Sequence, residues 1–291
     1  MIGLMIEQWW ASGERVTVDL ASGSHRVFVQ RLGEQAAPSM TLLHGFPSSS
    51  HDWAKVAPGV AGSYALLMPD FLGFGASDKP RDHIYSLHEQ ADLVEAVWAG
   101  AGITTTRLVA HDYAVSVAQE LLARNASGEL PVTLERVDLL NGGLYPELHR
   151  QEPVQTALLD PVQGPAISEA LTEELLTGAL APTFAPTFDP TSDSHEIWQS
   201  MARDSGQRNA HLLIRYITDR QAHAERWIEA LETTDVPLRF TWGMLDPVSG
   251  AHMAERVRER LPASPFVALE DVGHWPPLEA PDRVLAALLA D

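Results

Sequence analysis

The sequence predicts an α/β fold, a mostly parallel eight-stranded sheet flanked by helices, with a helical segment inserted late in the chain. Strand-like segments, among them residues 40–43 and 134–140, alternate with helical runs, and the continuous apolar run at 40–43 is typical of a strand buried on both faces of a parallel sheet. From about residue 144 to residue 231 the alternation stops and the pattern is helical. We therefore expect a core domain of residues 1–143 and 232–291 and a helical cap of residues 144–231.

Composition excludes several classes of function. There is no cysteine among the 291 residues, which excludes a disulfide framework, a thiolate metal site and a cysteine nucleophile. The formal net charge of −19 repels nucleic-acid phosphates and anionic lipid surfaces. The first ten residues carry no Lys or Arg, and no apolar run approaches the roughly 18 residues of a membrane span. We expect a cytoplasmic protein with neither nucleic acid nor membrane as a partner.

The elements follow in chain order, and parallel strands joined by helices imply right-handed crossovers. The glycines of a D-x-x-G-x-G-x-S stretch at residues 70–77 predict a tight structural loop. The patterns predict an antiparallel strand pair at 15–18 and 25–29; strands at 40–43, 64–70, 106–109, 134–140, 236–243 and 265–269; and helices at 49–60, 85–100, 117–124, 251–261 and 282–289.

Asp112 lies between a predicted strand and a predicted helix. A strand that stops, turns sharply around one reactive side chain and restarts as a helix forms a nucleophile elbow. Ala110 and Ala114 occupy the positions two before and two after Asp112, where the tight turn needs small residues and glycine is usual. The alternative interpretation is that Asp112 merely caps the following helix.

Three further segments complete a catalytic pattern. In the H-G-F-P stretch at residues 44–47, the backbone N–H of Phe46 could bind an oxyanion together with that of Tyr113. Asp246 follows one late strand and His274 follows the last, which is the order of nucleophile, acid and histidine. Either could instead be an ordinary loop residue, but the shared order with an oxyanion loop favours a catalytic set.

With these motifs in place, the chain resembles the α/β-hydrolases of the epoxide hydrolase and haloalkane dehalogenase group, whose elbow nucleophile is Asp. Within that group it is especially similar to the mesoderm-specific transcript-like proteins over nearly its whole length. The resemblance implies the α/β-hydrolase fold with high specificity and the substrate with little. It is carried by H-G-F-P at 44–47, D-F-L-G-F-G at 70–75, S-D-K-P at 77–80, H-D-Y at 111–113, Q-E-L-L at 119–122, N-G-G at 141–143 and L-D-P-V at 245–248.

The resemblance implies an epoxide hydrolase that makes a vicinal diol through a covalent ester of Asp112. A carboxylate can attack an sp³ carbon, and His274, oriented by Asp246, would activate the water that hydrolyses the ester. Family members protonate the opened epoxide from cap tyrosines. Tyr216 lies in the corresponding region, and Tyr145 is a second candidate acid.

Two alternatives remain open from the sequence. The first is a haloalkane dehalogenase using the same ester route, although those enzymes typically carry Trp, not Tyr113, directly after the nucleophile. The second is a hydrolase-fold binding protein without turnover. Trp198, Trp227 and Trp275 are candidates to line the cleft, with at least one of them expected to pack in the core instead. The 12 histidines form no ligand motif, so no metal or other cofactor is expected, and the partners are a small, largely apolar organic substrate and water. Monomer and homodimer both remain open.

Overall fold

A computed structural model describes residues 4–290, in which eight strands form one sheet. The strands are β1 (Glu14–Leu20), β2 (Gly23–Leu32), β3 (Ser39–Leu43), β4 (Ala65–Pro69), β5 (Thr105–His111), β6 (Thr133–Leu140), β7 (Leu238–Gly243) and β8 (Phe266–Leu269). Their order in the sheet is β1-β2-β4-β3-β5-β6-β7-β8. β2 is antiparallel to both of its neighbours, and the remaining pairs are parallel. The predicted mostly parallel eight-stranded sheet is confirmed.

Helices and apolar side chains bury the sheet on both faces. Along β5, Leu108 and Ala110 belong to one hydrophobic cluster and Val109 to another, because successive strand residues point to opposite faces. The helices are α1 (Ile6–Ser12), α2 (Ala57–Val60), α3 (Leu87–Ala101), α4 (Ala114–Ala126), α5 (Pro153–Leu159), α6 (Gln163–Ala170), α7 (Glu173–Leu180), α8 (Thr191–Ala202), α9 (Ala210–Leu213), α10 (Tyr216–Ala222), α11 (Ala224–Thr233), α12 (Ala251–Arg260), α13 (Pro276–Glu279) and α14 (Pro281–Leu289).

Two local expectations need correction. The helix expected over residues 49–60 is divided into a 3-10 turn, Ser50–Trp53, and the short α2. Pro58 lies in the first turn of α2, where its missing N–H is tolerated, whereas it would break a longer helix. Helix α1 was not predicted, because its seven residues bury only Ile6 and Trp9 and leave little periodic pattern.

Residues 141–237, all within the described range, contain no strand and join β6 to β7. We call residues 144–231 the helical insertion. Its last helix, α11, packs along α4 of the sheet domain, where the indole N–H of Trp227 donates to Glu120 at 2.8 Å. No helix between residues 4 and 290 has the length and apolar character to cross a membrane. The ends of the expected core domain, residues 1–3 and 291, lie outside the described residues.

The loop after β4 is held by Asp70. One carboxylate oxygen accepts from the amide of Ser50 at 2.8 Å, and the other accepts from the amide of Ala76 at 2.7 Å. Gly75 has a φ of +50°, and a Cβ there would collide with the Asp70 carboxylate. The loop therefore needs glycine for a structural reason.

Candidate active site

Asp112 lies in a strained turn between β5 and α4. Its φ is +51°, and it is one of three non-glycine residues with a positive φ among the described residues. Such backbone strain concentrates at functional sites. The turn is packed tightly, since a Cβ added to Gly142 would lie 2.7 Å from the carbonyl oxygen of Asp112. Helix α4 has Tyr113 as its N-cap and no side-chain capping bond. The Asp112 side chain therefore does not cap α4, which was the alternative interpretation of the sequence.

Three titratable side chains meet at the carboxyl ends of the strands. The Nδ1–H of His274 donates to Asp246 Oδ2 at 2.8 Å, and its Nε2 lies 3.5 Å from Asp112 Oδ1. All three are buried. The backbone of His274 is held from two sides, because its N–H donates to the Thr183 carbonyl and its carbonyl accepts from His111, both at 2.8 Å. The imidazole thus bridges the two carboxylates.

The carboxylate of Asp246 is oriented by neutral donors. Its Oδ2 accepts from Asn141 Nδ2 at 2.9 Å and from Ser249 Oγ at 2.8 Å, and its Oδ1 accepts from the amide of Val248 at 2.8 Å. These bonds fix the carboxylate in the plane where it receives the imidazole N–H. Asn141 and Ser249 had no role assigned from the sequence, although Asn141 belongs to the N-G-G stretch.

The three groups set one another's ionisation. Burial alone would raise the pKa of Asp112, but the hydrogen bond and charge of His274 outweigh it and lower that pKa to about 2. Burial acts in the same sense on Asp246, whose pKa His274 and the neutral donors hold well below its usual range. Burial would lower the pKa of His274, and the two carboxylates raise it well above its usual value. At neutral pH the site holds an imidazolium between two carboxylates.

One backbone N–H group contacts the second oxygen of Asp112. The amide of Phe46 donates to Asp112 Oδ2 at 2.8 Å. The amide of Tyr113 has no acceptor within residues 4–290. A Cβ on Gly45 would lie 2.9 Å from the Asp112 Cβ, so only glycine lets this loop approach the carboxylate. The Phe46 amide is thus held against a carboxylate oxygen of Asp112.

An apolar cavity opens above Asp112, with a volume of about 720 Å³ including the part open to solvent. Asp112, His274 and Phe46 form its floor, and the helical insertion contributes the apolar walls, among them Leu158, Leu176 and Met201. A mostly apolar cavity with a few convergent polar groups is the usual form of a small-molecule site.

Tyr216, the first residue of α10, also lines this cavity. Its ring packs 5.7 Å from the ring of Phe46 and 5.2 Å from that of Tyr113, measured between centroids. No protein group within the described chain hydrogen-bonds its hydroxyl. Burial, and then the charge of Asp112, raise its pKa, with Arg220 acting in the opposite direction. The phenol therefore keeps its proton at neutral pH.

Of the other aromatic candidates, one lines the cavity and the others do not. Trp275 lines the cavity, and its indole N–H donates to Thr183 Oγ1 at 2.8 Å. Tyr145 does not line it, because its hydroxyl is directed to Glu232 at 3.2 Å. Trp198 is also absent from the cavity wall and packs half-buried against the main hydrophobic cluster. Tyr145 and Trp198 are thus not brought together with Asp112.

Sequence reasoning missed Arg220. Its guanidinium is buried, its Nε donates to Ser116 Oγ at 2.7 Å, and its Nη2 has no partner in the described part of the chain. It lies over the ring of Tyr216 at 4.9 Å and helps to lower the pKa of Asp112. The signal was its spacing, since residues four apart share a helix face and Arg220 follows Tyr216 by one turn.

A sheet of this topology, with an elbow at the end of its central strand β5, defines an α/β-hydrolase. The family model for the alpha/beta hydrolase family matches residues 42–287. The chain belongs to this family, and it is a hydrolase.

Similar proteins span nearly the whole chain. LipZ of Mycobacterium tuberculosis, a provisionally named hydrolase, is 39% identical over 281 residues, which cover 97% of this chain and 96% of LipZ. The human mesoderm-specific transcript homolog protein is 37% identical over 296 residues, covering 98% of this chain and 87% of that protein. The crystal structure of haloalkane dehalogenase DbeA from Bradyrhizobium elkani has a TM-score of 0.78 at 21% identity, covering 95% of this chain and 96% of that chain, which shows the fold alone.

Proposed function

We propose that this protein is an epoxide hydrolase that converts an epoxide to a vicinal diol through an ester of Asp112. One observation carries the proposal. A buried carboxylate in reach of a His–Asp pair shares an apolar cavity with Tyr216, a protonated phenol whose hydroxyl has no protein partner within the described residues. Epoxide opening needs this combination of a nucleophile and an acid.

In the first step, Oδ1 of Asp112 attacks an epoxide carbon. The carbon–oxygen bond of the ring breaks, its electron pair stays on the oxygen, and that oxygen takes the phenolic proton of Tyr216. The phenolate is stabilised by the Arg220 guanidinium, which lies 4.9 Å from the ring centroid. The products are a hydroxyalkyl ester of Asp112 and an ionised Tyr216.

The ester then changes the ionisation of His274. Alkylation removes the charge of Asp112 and its ability to accept strongly from the ring, and both are among the causes that raise the pKa of His274. The imidazole therefore loses its proton more readily once the ester has formed, and it becomes a base for water. The same residue is a cation before the first step and a base after it.

In the second step, His274 takes a proton from water and the hydroxide attacks Cγ of Asp112. The amides of Phe46 and Tyr113 stabilise the resulting oxyanion. Collapse breaks the ester bond to the diol oxygen, which takes the proton back from His274. The proton that His274 lost after the first step restores Tyr216 through solvent, and the proton of the regenerated carboxyl group passes to His274, which closes the cycle.

The helical insertion contributes the acid and the apolar walls in this proposal. We accordingly propose two domains, a core of residues 1–143 and 232–291 and a cap of residues 144–231. Such a cap favours a small, largely apolar substrate, because Leu158, Leu176 and Met201 face the cavity, and it limits bulk water near the ester.

Haloalkane dehalogenase activity is the alternative that shares the ester chemistry. A leaving halide needs N–H donors at the cavity. The indole N–H of Trp275 is engaged by Thr183, and residue 113 is Tyr. These observations favour an epoxide over a haloalkane.

A substrate panel tests the proposal. Purified protein is offered terminal and internal epoxides, haloalkanes and simple esters, with diol, halide and acid measured as products. The proposal expects diol from at least one class of epoxide and no halide release. Halide release without diol would replace it with the dehalogenase. Absence of turnover, with tight binding of the same compounds, would favour a hydrolase-fold binding protein.

A further inference from the structure

A second cluster of polar side chains lies outside the cavity, between the sheet domain and the helical insertion. His88 is in the first turn of α3, Asp219 is in α10, and His223 directly follows α10. Each offers one ligand atom, and these atoms lie within 4.8 Å of one another. Sequence spacing could not reveal this group, because His88 is distant in sequence from the other two.

The distances fit a small divalent ion. Asp219 Oδ1 is 3.4 Å from His223 Nε2. Two ligand atoms bound tetrahedrally at zinc distances lie about 3.4 Å apart, so this pair already has the required separation. Asp219 is also fixed, since its Oδ2 accepts from the amide of Leu87 at 2.7 Å and leaves Oδ1 for another partner.

An ordinary ion pair explains only part of the cluster. It would account for Asp219 with His223, but the ring of His88 lies 4.4 Å from that of His223, measured between centroids. Two protonated imidazoles at this distance repel, whereas two neutral ones can share a cation. A further carboxylate oxygen, from Glu120, lies 3.5 Å from His88 Nε2, but Glu120 is already paired with Arg124 and Arg226 and is not counted as a ligand.

We propose that His88, Asp219 and His223 bind one zinc-class divalent ion. Two imidazoles and one carboxylate suit Zn²⁺ and its neighbours in the transition series, whereas Mg²⁺ and Ca²⁺ prefer oxygen ligands alone. The side chains of His88 and His223 are 34% and 39% exposed, so an ion can enter from solvent and keep water as a fourth ligand.

The ion would cross-link the insertion to the core. His88 belongs to α3, which packs on the sheet, whereas Asp219 lies in the helix that begins with Tyr216 and contains Arg220, and His223 directly follows that helix. Metal binding would hold this helix in register above Asp112. The binding itself does not depend on the proposed function, whereas any effect on epoxide opening rests on it.

Calorimetric titration of chelator-treated, desalted protein with ZnCl₂ tests the site. The expected result is one ion per chain, with affinity at least about 100-fold weaker in His88→Ala and in His223→Ala, because each removes a direct ligand. His195→Ala is the matched control, since that histidine is exposed on α8 and paired with Glu173. Its affinity should equal that of the wild type.

Thermal unfolding gives a second measurement of binding, and the Tm without metal shows whether each variant is folded. At a Zn²⁺ concentration about 100 times the dissociation constant, the wild-type Tm should rise by about 4 °C. His223→Ala should keep its metal-free Tm and lose the rise. His223→Gln replaces it if the alanine variant unfolds. Equal binding in the wild type and both histidine variants, or no stoichiometric binding to the wild type, would overturn the proposal.

Discussion

The two sides of the cavity differ in how their residues are positioned. On the core side, Asp112, Asp246 and His274 each follow a strand, and short local motifs set their backbones. On the side of the insertion, Tyr216 and the apolar walls are positioned only by helix packing. In the proposed reaction, the core therefore supplies the nucleophile and the His–Asp pair, whereas the insertion supplies the groups that select the electrophile.

The largest expected effect comes from the core side. Asp112→Ala should lower turnover by at least about 10⁴-fold, since no other group can form the ester. Asp204→Ala is the matched control, because Asp204 also has a positive φ, of 52°, but is exposed. Its activity should be unchanged, as measured by steady-state assay.

His274→Gln sharpens the same prediction. Alkylation of Asp112 should continue while hydrolysis of the ester stops, so intact-mass measurement should detect a protein adduct equal to one substrate. Full activity in Asp112→Ala, or a His274→Gln protein that turns over without an adduct, would show that the reaction uses another nucleophile.

The next largest effect tests the insertion side of the cavity separately from the core side. Tyr216→Phe should slow alkylation by roughly 10²–10⁴-fold, the usual contribution of a positioned general acid, and leave ester hydrolysis nearly unchanged. Tyr145→Phe is the control, since that buried phenol bonds Glu232 away from the cavity. Pre-steady-state tryptophan fluorescence resolves the two steps. A Tyr216→Phe protein that opens epoxides at the wild-type rate would remove this residue from the mechanism.

Replacing one glycine on each side with alanine compares how tightly the core and the insertion are packed. In Gly142→Ala the new Cβ would lie 2.6 Å from a Val115 methyl and 2.7 Å from the Asp112 carbonyl oxygen, which should cost about 1–3 kcal/mol of unfolding free energy. Gly178 lies in α7 of the insertion with no atom within 4 Å of a Cβ. Gly178→Ala should stabilise by up to about 1 kcal/mol, through helix propensity. Denaturant unfolding measures both, and equal effects would contradict the contrast.

The smallest effect is the pH dependence of stability. The pKa of His274 is raised in the folded protein, so its contribution is fully present below the unfolded value of about 6.5 and is lost as pH rises through the folded pKa. The stability advantage of the wild type over His274→Gln should therefore shrink as pH rises above about 6.5. An advantage that grows over this range would contradict the assigned ionisation.

Prediction from sequence was most complete where local chemistry fixes the backbone. The elbow at Asp112, the loop at Phe46 and the mostly parallel sheet all follow from turns and apolar runs that a few residues specify. The Asn141 bond to Asp246 was not predictable, because it joins segments that meet only in the folded sheet. The same holds for Arg220 and for the cluster of His88 with His223.

Within the insertion, composition indicated helices but could not give their packing. Tyr216 was identified through family resemblance, and its free hydroxyl depends on how α10 is placed over Phe46 and Tyr113. Tyr145 and Trp198 were expected near the site and lie elsewhere, because amphipathic aromatic residues serve equally well in a core. A sequence pattern does not distinguish a ring that faces a cavity from one that fills it.

The central claim is that Asp112 itself supplies an oxygen to the product. A single turnover in H₂¹⁸O, with enzyme in excess over the epoxide, tests it by mass spectrometry of the diol and of the peptide that contains Asp112. Hydroxide attack at Cγ predicts an unlabelled diol and one ¹⁸O in the carboxylate of Asp112. Label in the diol with none in that peptide would mean that water attacks the epoxide directly, and would contradict the ester mechanism.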